Sequence, residues 1–203
     1  MKIICIGRNY IDHAKELNNP VPEKPVFFMK PDTALLLKHN PFFYPDFSNN
    51  VHYETELVVK IDRNGRHIEE KFAHKYYNEI GIGIDFTARD LQAEAKKKGL
   101  PWEIAKAFDQ AAPLGSFLPK SRFEDLNNIN FSLKINDELR QQGNSKDMIF
   151  TFDAIIAYVS RFVTLRTGDL IFTGTPQGVG PTKINDHFEA FIEEEKLLAF
   201  NVK

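Results

Sequence analysis

Between Val51 and Ile61 the chain alternates, and that alternation restricts its fold more than any other stretch. In an extended strand, successive side chains point to opposite faces. The odd positions Val51, Tyr53, Thr55, Leu57, Val59 and Ile61 make a mostly apolar face suited to a core. The even positions set Glu54 and Glu56 side by side, about 6.5 Å apart along the strand. A second alternating run, Glu79 to Asp85, sends Ile80, Ile82 and Ile84 one way and Gly81, Gly83 and Asp85 the other. Two glycines leave that second face bare, so another group can approach it closely.

The same reading predicts strands at Lys2 to Ile6, Val26 to Met29, Asn130 to Ile135, Leu170 to Thr173, His187 to Ile192 and Leu197 to Val202. Asn136-Asp137 reads as a hairpin turn. Helices are predicted at about Tyr10 to Leu17, Thr87 to Lys98 and Phe152 to Leu165, the last with Ile155, Ile156, Val159, Phe162 and Val163 at helical spacing. Thr87 and Asp90 suggest a capping box at the second helix. Lys96-Lys97-Lys98-Gly99 reads as its basic C-terminal turn, closed by glycine. Strands outnumber helices and lack a regular βαβ alternation, which predicts an α+β fold with a curved, largely β core.

A chain of 203 residues is long enough to bury a sizeable core as one domain. The 18 phenylalanines read as core filler. Twenty-six basic and 28 acidic side chains leave a net charge of −2, so no global field draws the chain to nucleic acid or an anionic membrane. The single Cys5 excludes an intramolecular disulfide and a cysteine zinc site. No apolar run approaches membrane-spanning length, and the start Met1 to Gly7 is too short for a signal-peptide core. These features predict a soluble, cytoplasmic, metabolic-type protein.

The candidate chemistry sits on a few residues. Glu54 and Glu56 read either as an exposed polar face or, with Asp85, as oxygen ligands for a hard divalent cation. His13 and Glu16 share a helix face at i, i+3, as a carboxylate-oriented general base would or as a solvated surface pair would. Arg89 and Gln92 share a face in the same way and could bind a carboxylate. Lys106, among apolar neighbours, needs an anionic partner if buried. Trp102 beside it reads as packing. The glycine-rich stretch Gly168 to Pro181 lacks the Gly-Lys-Ser/Thr of a phosphate loop. It can offer backbone N–H groups and Thr175 to a carboxylate, or it is simply a tight turn.

Five motifs occur in order along the whole chain: Gly7-Arg8-Asn9-Tyr10 with His13 and Glu16, then Tyr53-Glu54-Thr55-Glu56-Leu57, then Asp85 to Gln92, then Lys98 to Trp102 with Lys106, and finally Gly168-Asp169 to Gly180. Together they resemble the fumarylacetoacetate hydrolase family, in particular its short single-domain branch of acylpyruvate hydrolases, fumarylpyruvate hydrolases and oxaloacetate decarboxylases or tautomerases. The resemblance implies a mixed β-roll with a few flanking helices, one catalytic domain over residues 1–203, and a homodimer. It implies Mg²⁺ or Mn²⁺ (Ca²⁺ as a crystallisation substitute) on Glu54, Glu56 and Asp85. It places His13 and Glu16 on a segment that orders over the site as a lid. Arg89, Gln92, Lys106 and Thr175 match positions that meet the carboxylate and keto oxygens of a small 2-oxo acid. The implied activity is hydrolytic C–C cleavage of acylpyruvates to pyruvate and a carboxylic acid, with oxaloacetate decarboxylation or tautomerisation as a side or principal reaction. The alternatives are a 2-hydroxyhepta-2,4-diene-1,7-dioate isomerase or decarboxylase, and a binding module that retains the fold. Presence of every one of these site residues argues against the binding module.

Overall fold

The two alternating segments lie side by side, and the ground of the site is built on that pair. The computed structural model describes residues 1–16, 21–36 and 40–203, with the side chains of residues 13–15 outside the description. In chain order the strands are β1 (Ile3–Gly7), β2 (Val26–Lys30), β3 (Leu35–Leu36), β4 (Val51–Tyr53), β5 (Thr55–Ile61), β6 (Tyr77–Ile84), β7 (Thr87–Ala88), β8 (Ala112–Pro119), β9 (Asn130–Ile135), β10 (Glu138–Asn144), β11 (Leu170–Phe172), β12 (Gly180–Pro181), β13 (His187–Ile192) and β14 (Glu195–Asn201). The α-helices are α1 (Ile11–Glu16), α2 (Glu70–Ala73), α3 (Arg89–Lys98), α4 (Glu103–Lys106) and α5 (Phe152–Val159).

A seven-stranded mixed sheet runs in the order β2-β1-β11-β5-β6-β8-β3, with β1 parallel to β11 and β3 parallel to β8. A four-stranded antiparallel sheet, β10-β9-β13-β14, and a three-stranded one, β12-β4-β7, complete the β framework. This is the α+β, mixed β-roll class with short flanking helices. Phenylalanine rings join the layers. Phe188 and Phe200 of the four-stranded sheet stack at 4.9 Å, both meet Phe86 edge-on, and Phe86 stacks on Phe42 at 4.2 Å. Such ring pairs add to the burial energy of their area.

The register of β5 on β6 sets Thr55 against Ile84, Glu56 against Gly83 and Leu57 against Ile82. The Asp85 N–H donates to the Glu54 carbonyl at 2.8 Å and carries the pairing one step past the strand ends. Residues directly opposite in an antiparallel pair share a face. Glu54, Glu56, Gly83 and Asp85 therefore stand on one face. Aromatic rings take up the space that Gly81 and Gly83 leave: a Cβ on Gly81 would meet the Phe117 ring at 2.8 Å, and one on Gly83 the Phe172 ring at 2.6 Å.

Several predicted boundaries move. The Val51–Ile61 strand is interrupted at Glu54, where the chain leaves the small sheet as β4 and enters the large one as β5. Helix α3 starts at Arg89 rather than Thr87, and Thr87 is in β7. The capping box does not form: the Thr87 hydroxyl donates to Glu54, and Asp90 accepts from Ser48 and from the Asn49 N–H. Helix α5 ends at Val159, well before Leu165, because the Ser160 hydroxyl donates to the Ala157 carbonyl and accepts from the Ile68 N–H. Strands β8 and β10 carry no alternation that marks them. β8 contains Pro113 and Gly115, and β10 is mostly polar with a register shift between Leu139 and Gln141. The hairpin at Asn136-Asp137 forms as expected, both residues adopting the positive φ that a tight two-residue turn requires.

Gly83→Ala should cost about 1–3 kcal/mol, because the new methyl meets a ring on one side and the Pro113 carbonyl at 2.9 Å on the other. Urea denaturation checks this. A lowered midpoint at constant slope is expected; an unmoved midpoint would mean the sheet yields there at no cost.

Candidate active site

Through the interruption at Glu54 the alternation persists, and the Glu54 side chain shares the face of Glu56 and Asp85. One ligand-competent oxygen from each of the three lies within 4.8 Å of those of the other two, and all three residues are buried. Buried carboxylates this close require compensation. Glu54 accepts from Arg89 Nη2 at 2.6 Å and from the Thr87 hydroxyl at 3.1 Å through Oε1, and from Lys106 Nζ at 2.9 Å through Oε2. Asp85 Oδ2 accepts from Lys106 Nζ at 2.8 Å. Glu56 Oε2 accepts from the Gly174 N–H at 2.7 Å. The glycine-rich stretch thus offers a backbone N–H to a carboxylate, and that carboxylate belongs to the protein.

A second lysine reaches the cluster from behind. Lys30, at the end of β2, is buried and places Nζ 2.7 Å from Asp85 Oδ1. The same Nζ donates to the carbonyls of Phe86 and Ala111, at 3.1 and 2.9 Å. Asp85 Oδ1 is ion-paired with this ammonium without a hydrogen bond of good geometry. A buried carboxylate oxygen left in this state, beside two further carboxylates, is a donor set that fits a hard divalent cation.

The charges bear on one another as this geometry dictates. Burial pushes the Glu56 carboxyl well above the usual carboxylate range, and the negative charges of Asp85 and Glu54 push it further. The Gly174 N–H and Lys106 act against this. Burial acts to lower the pKa of Lys106, but Asp85 and Glu54 outweigh it and raise it above the ordinary lysine value, so the ammonium stays charged.

The cluster opens into a pocket that Arg89, Gln92, Lys106 and Thr175 also line, with Val26, Phe28 and Trp102 as an apolar wall. Arg89 Nη1 donates to Gln92 Oε1 at 2.8 Å, which leaves the Gln92 amide N–H groups for other acceptors. The Thr175 hydroxyl donates to the Thr55 carbonyl at 2.8 Å and accepts from Gln141 Nε2 at 2.9 Å. Trp102 does pack, edge-on to Phe28, and it is a wall of the pocket as well. Helix α1 forms, but the side chain of His13 lies outside the described residues. Glu16 does not line the carboxylate pocket; its Oε1 accepts from the Gly178 N–H at 3.1 Å, on the glycine-rich stretch.

Sequence reasoning did not single out Lys30 or Gln141, and it named Asn9 only within the Gly7-Arg8-Asn9-Tyr10 motif. Lys30 carried one signal, a lysine closing the apolar run Val26 to Met29 just before Pro31. Buried Asn9 fastens the loop under the site. Its Nδ2 donates to the carbonyls of Thr173 and Phe150, and its Oδ1 accepts from the Phe150 N–H. Gly174 (φ +99°) crosses so close that a Cβ there would meet Asn9 Cβ at 2.7 Å. Gln141 links the Thr55 N–H to Thr175 and the Pro176 carbonyl from a strand with no visible pattern.

A mixed β-roll thus gathers three buried carboxylates in a pocket that cations also line. Residues 2–201 match the family described as fumarylacetoacetate (FAA) hydrolase, C-terminal, and the chain belongs to that family. It is 46% identical over 201 residues to the mitochondrial oxaloacetate tautomerase of Mus musculus, covering 99% of this chain and 91% of that one. The crystal structure of fumarylpyruvate hydrolase from Pseudomonas aeruginosa in complex with Mn²⁺ and pyruvate superposes with a TM-score of 0.94 at 37% identity, covering 100% of this chain and 89% of that one. That of 2-hydroxyhepta-2,4-diene-1,7-dioate isomerase from Mycobacterium marinum does so at 0.86 and 32%, covering 99% and 73%.

Lys30→Met should destabilise the chain by about 3–5 kcal/mol, since it strips a buried cation from Asp85 and leaves two carbonyls without a donor. Chemical denaturation with a chelator present measures it. Wild-type stability in the variant would show that Lys106 alone suffices to hold Asp85.

Proposed function

We propose that this chain is a divalent-metal-dependent enzyme of small 2-oxo acids, with enol–keto tautomerisation of oxaloacetate as its principal reaction. The observation that carries this reading is the buried cluster of Glu54, Glu56 and Asp85 opening into a pocket lined by Arg89, Gln92, Lys106 and Thr175. Glu54, Glu56 and Asp85 would hold Mg²⁺ or Mn²⁺, and the Mn²⁺-bound fumarylpyruvate hydrolase structure supports this assignment. Such an ion supplies Lewis-acid stabilisation of the charge that develops on the 2-oxo oxygen.

The chain's own residues do the rest. Gln92, fixed by Arg89, presents amide N–H groups to the substrate carboxylate. Lys106 places a permanent positive charge beside the oxygen that becomes an enolate, and its two carboxylate partners hold it there. Thr175, braced by Gln141 and Thr55, forms the floor. The apolar wall keeps water from the reacting carbon. Tautomerisation then requires only a proton moved at C3. The family resemblance extends this reading to a single catalytic domain, a homodimer and a cytoplasmic setting, with the His13 segment as a lid.

A second reading, hydrolysis of acylpyruvates, is favoured by His13 and Glu16. A histidine oriented by a carboxylate can activate water to attack the distal carbonyl, releasing the pyruvate enolate and a carboxylic acid. The isomerase of Mycobacterium marinum marks a third outcome of the same enolate chemistry. Turnover of oxaloacetate, acetylpyruvate and fumarylpyruvate with Mg²⁺ or Mn²⁺ decides among them. Faster ketonisation of enol-oxaloacetate, abolished by chelation and by Glu54→Gln, is expected. No acceleration with any of the three substrates in metal-replete protein would overturn the proposal. His13→Ala should lower acylpyruvate cleavage by roughly 10²–10⁴-fold, as loss of a general base does, and lower decarboxylation of oxaloacetate far less. Equal losses would assign His13 to a step common to both reactions.

A further inference from the structure

Thr55 stands between Glu54 and Glu56, so the peptide before it and the peptide after it join the two carboxylate-bearing residues. On one side Thr55 pairs with Ile84 of β6. On the other side β11 stops short of it. The last register pair there is Phe172 with Val58, and beyond it the Thr173 N–H donates to the Leu57 carbonyl at 3.1 Å. Gly174 then turns the chain away (φ +99°). A buried N–H and C=O without a strand partner must be met by other groups. Two side chains replace the missing strand. Gln141 Oε1 accepts from the Thr55 N–H at 2.9 Å, and the Thr175 hydroxyl donates to the Thr55 carbonyl at 2.8 Å. Gln141 Nε2 donates to Thr175 Oγ1 at 2.9 Å, which closes a ring, and to the Pro176 carbonyl at 3.0 Å.

Gln141 reaches this ring from another sheet, and a bulge aims it. Leu139 pairs with Lys134 and Gln141 with Leu133, so Arg140 is the extra residue of β10. Regular alternation would put residues 139 and 141 on the same face. Instead Leu139 is 56% exposed and Gln141 is 2% exposed. A strand that leaves a leucine in water and buries a glutamine works against the hydrophobic effect. Bulges that re-aim a side chain in this way are over-represented beside active sites. The amide is oriented from both ends, since only its oxygen can meet the Thr55 N–H and only its nitrogen the Pro176 carbonyl.

We infer that Gln141 is a positioning residue for the metal centre: from outside the large sheet it holds the backbone between Glu54 and Glu56 and so sets how their carboxylates stand toward an ion. The inference rests on the reading of Glu54, Glu56 and Asp85 as that centre. Gln141 touches none of the three carboxylates and acts through the Thr55 backbone, directly and by way of Thr175. Groups that orient metal ligands from behind typically contribute about 10–100-fold to metal affinity.

Calorimetric titration of metal-free protein with Mn²⁺ tests this, each variant being shown folded by thermal unfolding. Gln141→Met keeps the length of the side chain and removes its hydrogen bonds. It should weaken Mn²⁺ binding by about 10–100-fold. Gln141→Asn keeps the amide but is too short to bridge Thr55 and Thr175; it should weaken binding too, and it carries the test where Gln141→Met does not fold. Gln142→Met, on the exposed neighbour in the same strand, should bind Mn²⁺ as the wild type does. Thr175→Val should also weaken binding, and the double variant Gln141→Met with Thr175→Val should lose less than the product of the two single losses, because both residues act on Thr55. A merely structural glutamine would lower the unfolding temperature and leave the Mn²⁺ affinity unchanged, and that result would overturn the inference. Losses that simply multiply would overturn it as well, by separating Gln141 from Thr175. A wild type that binds no Mn²⁺ would instead overturn the metal reading on which the inference rests.

Discussion

Three buried carboxylates cannot share one face of a sheet without help, and the structure around the pocket is arranged to supply it. Two unit charges 4.8 Å apart repel by about 3.5 kcal/mol at an effective dielectric constant near 20. Glu54, Glu56 and Asp85 make three such pairs. Lys106 bridges Glu54 and Asp85, Lys30 stands behind Asp85, Arg89 holds Glu54, and a backbone N–H faces Glu56. Each compensating group comes from a different element, so the site depends on the whole roll closing correctly. The break between β4 and β5 is the local device. Glu54 sits there, still bonded through its carbonyl to the Asp85 N–H, and its side chain reaches Arg89 and Thr87.

Period-2 alternation made the two central strands and their carboxylate face legible, because a strand with one buried side must alternate. It could not show that the strand breaks at Glu54, since a break leaves the alternation intact. The five motifs identified the family and with it the roll. Lys30 was hidden because a lysine ending an apolar strand looks like a solvent-facing terminus. Only the tertiary neighbours Phe86 and Ala111 show that it points inward. Lys96 was hidden by Lys97 and Lys98, which made a basic turn the sufficient explanation. Gln141 could not be found, because β10 is a polar strand without a pattern and its partners are far away in sequence. The capping box at Thr87 failed for a related reason: both of its members are claimed by tertiary partners stronger than a local cap.

The charges also divide the pocket in space. Carboxylates and their buried cations lie together, while Arg8 and Lys96 line the pocket without a paired carboxylate among the described residues. Partial burial, then the positive charges of Arg89 and Arg8, lower the pKa of Lys96 below the ordinary lysine value, against the opposing charge of Glu54.

The central claim is that Glu54, Glu56 and Asp85 hold one divalent ion. The most direct measurement is anomalous diffraction at the manganese edge from a crystal grown with Mn²⁺, paired with one grown with Mg²⁺. The account predicts a single peak per chain among these three side chains, with Mg²⁺–oxygen distances of about 2.0–2.1 Å in the second crystal. An ion bound elsewhere, with the three carboxylates still engaged only by Lys30, Lys106, Arg89 and Gly174, would contradict it.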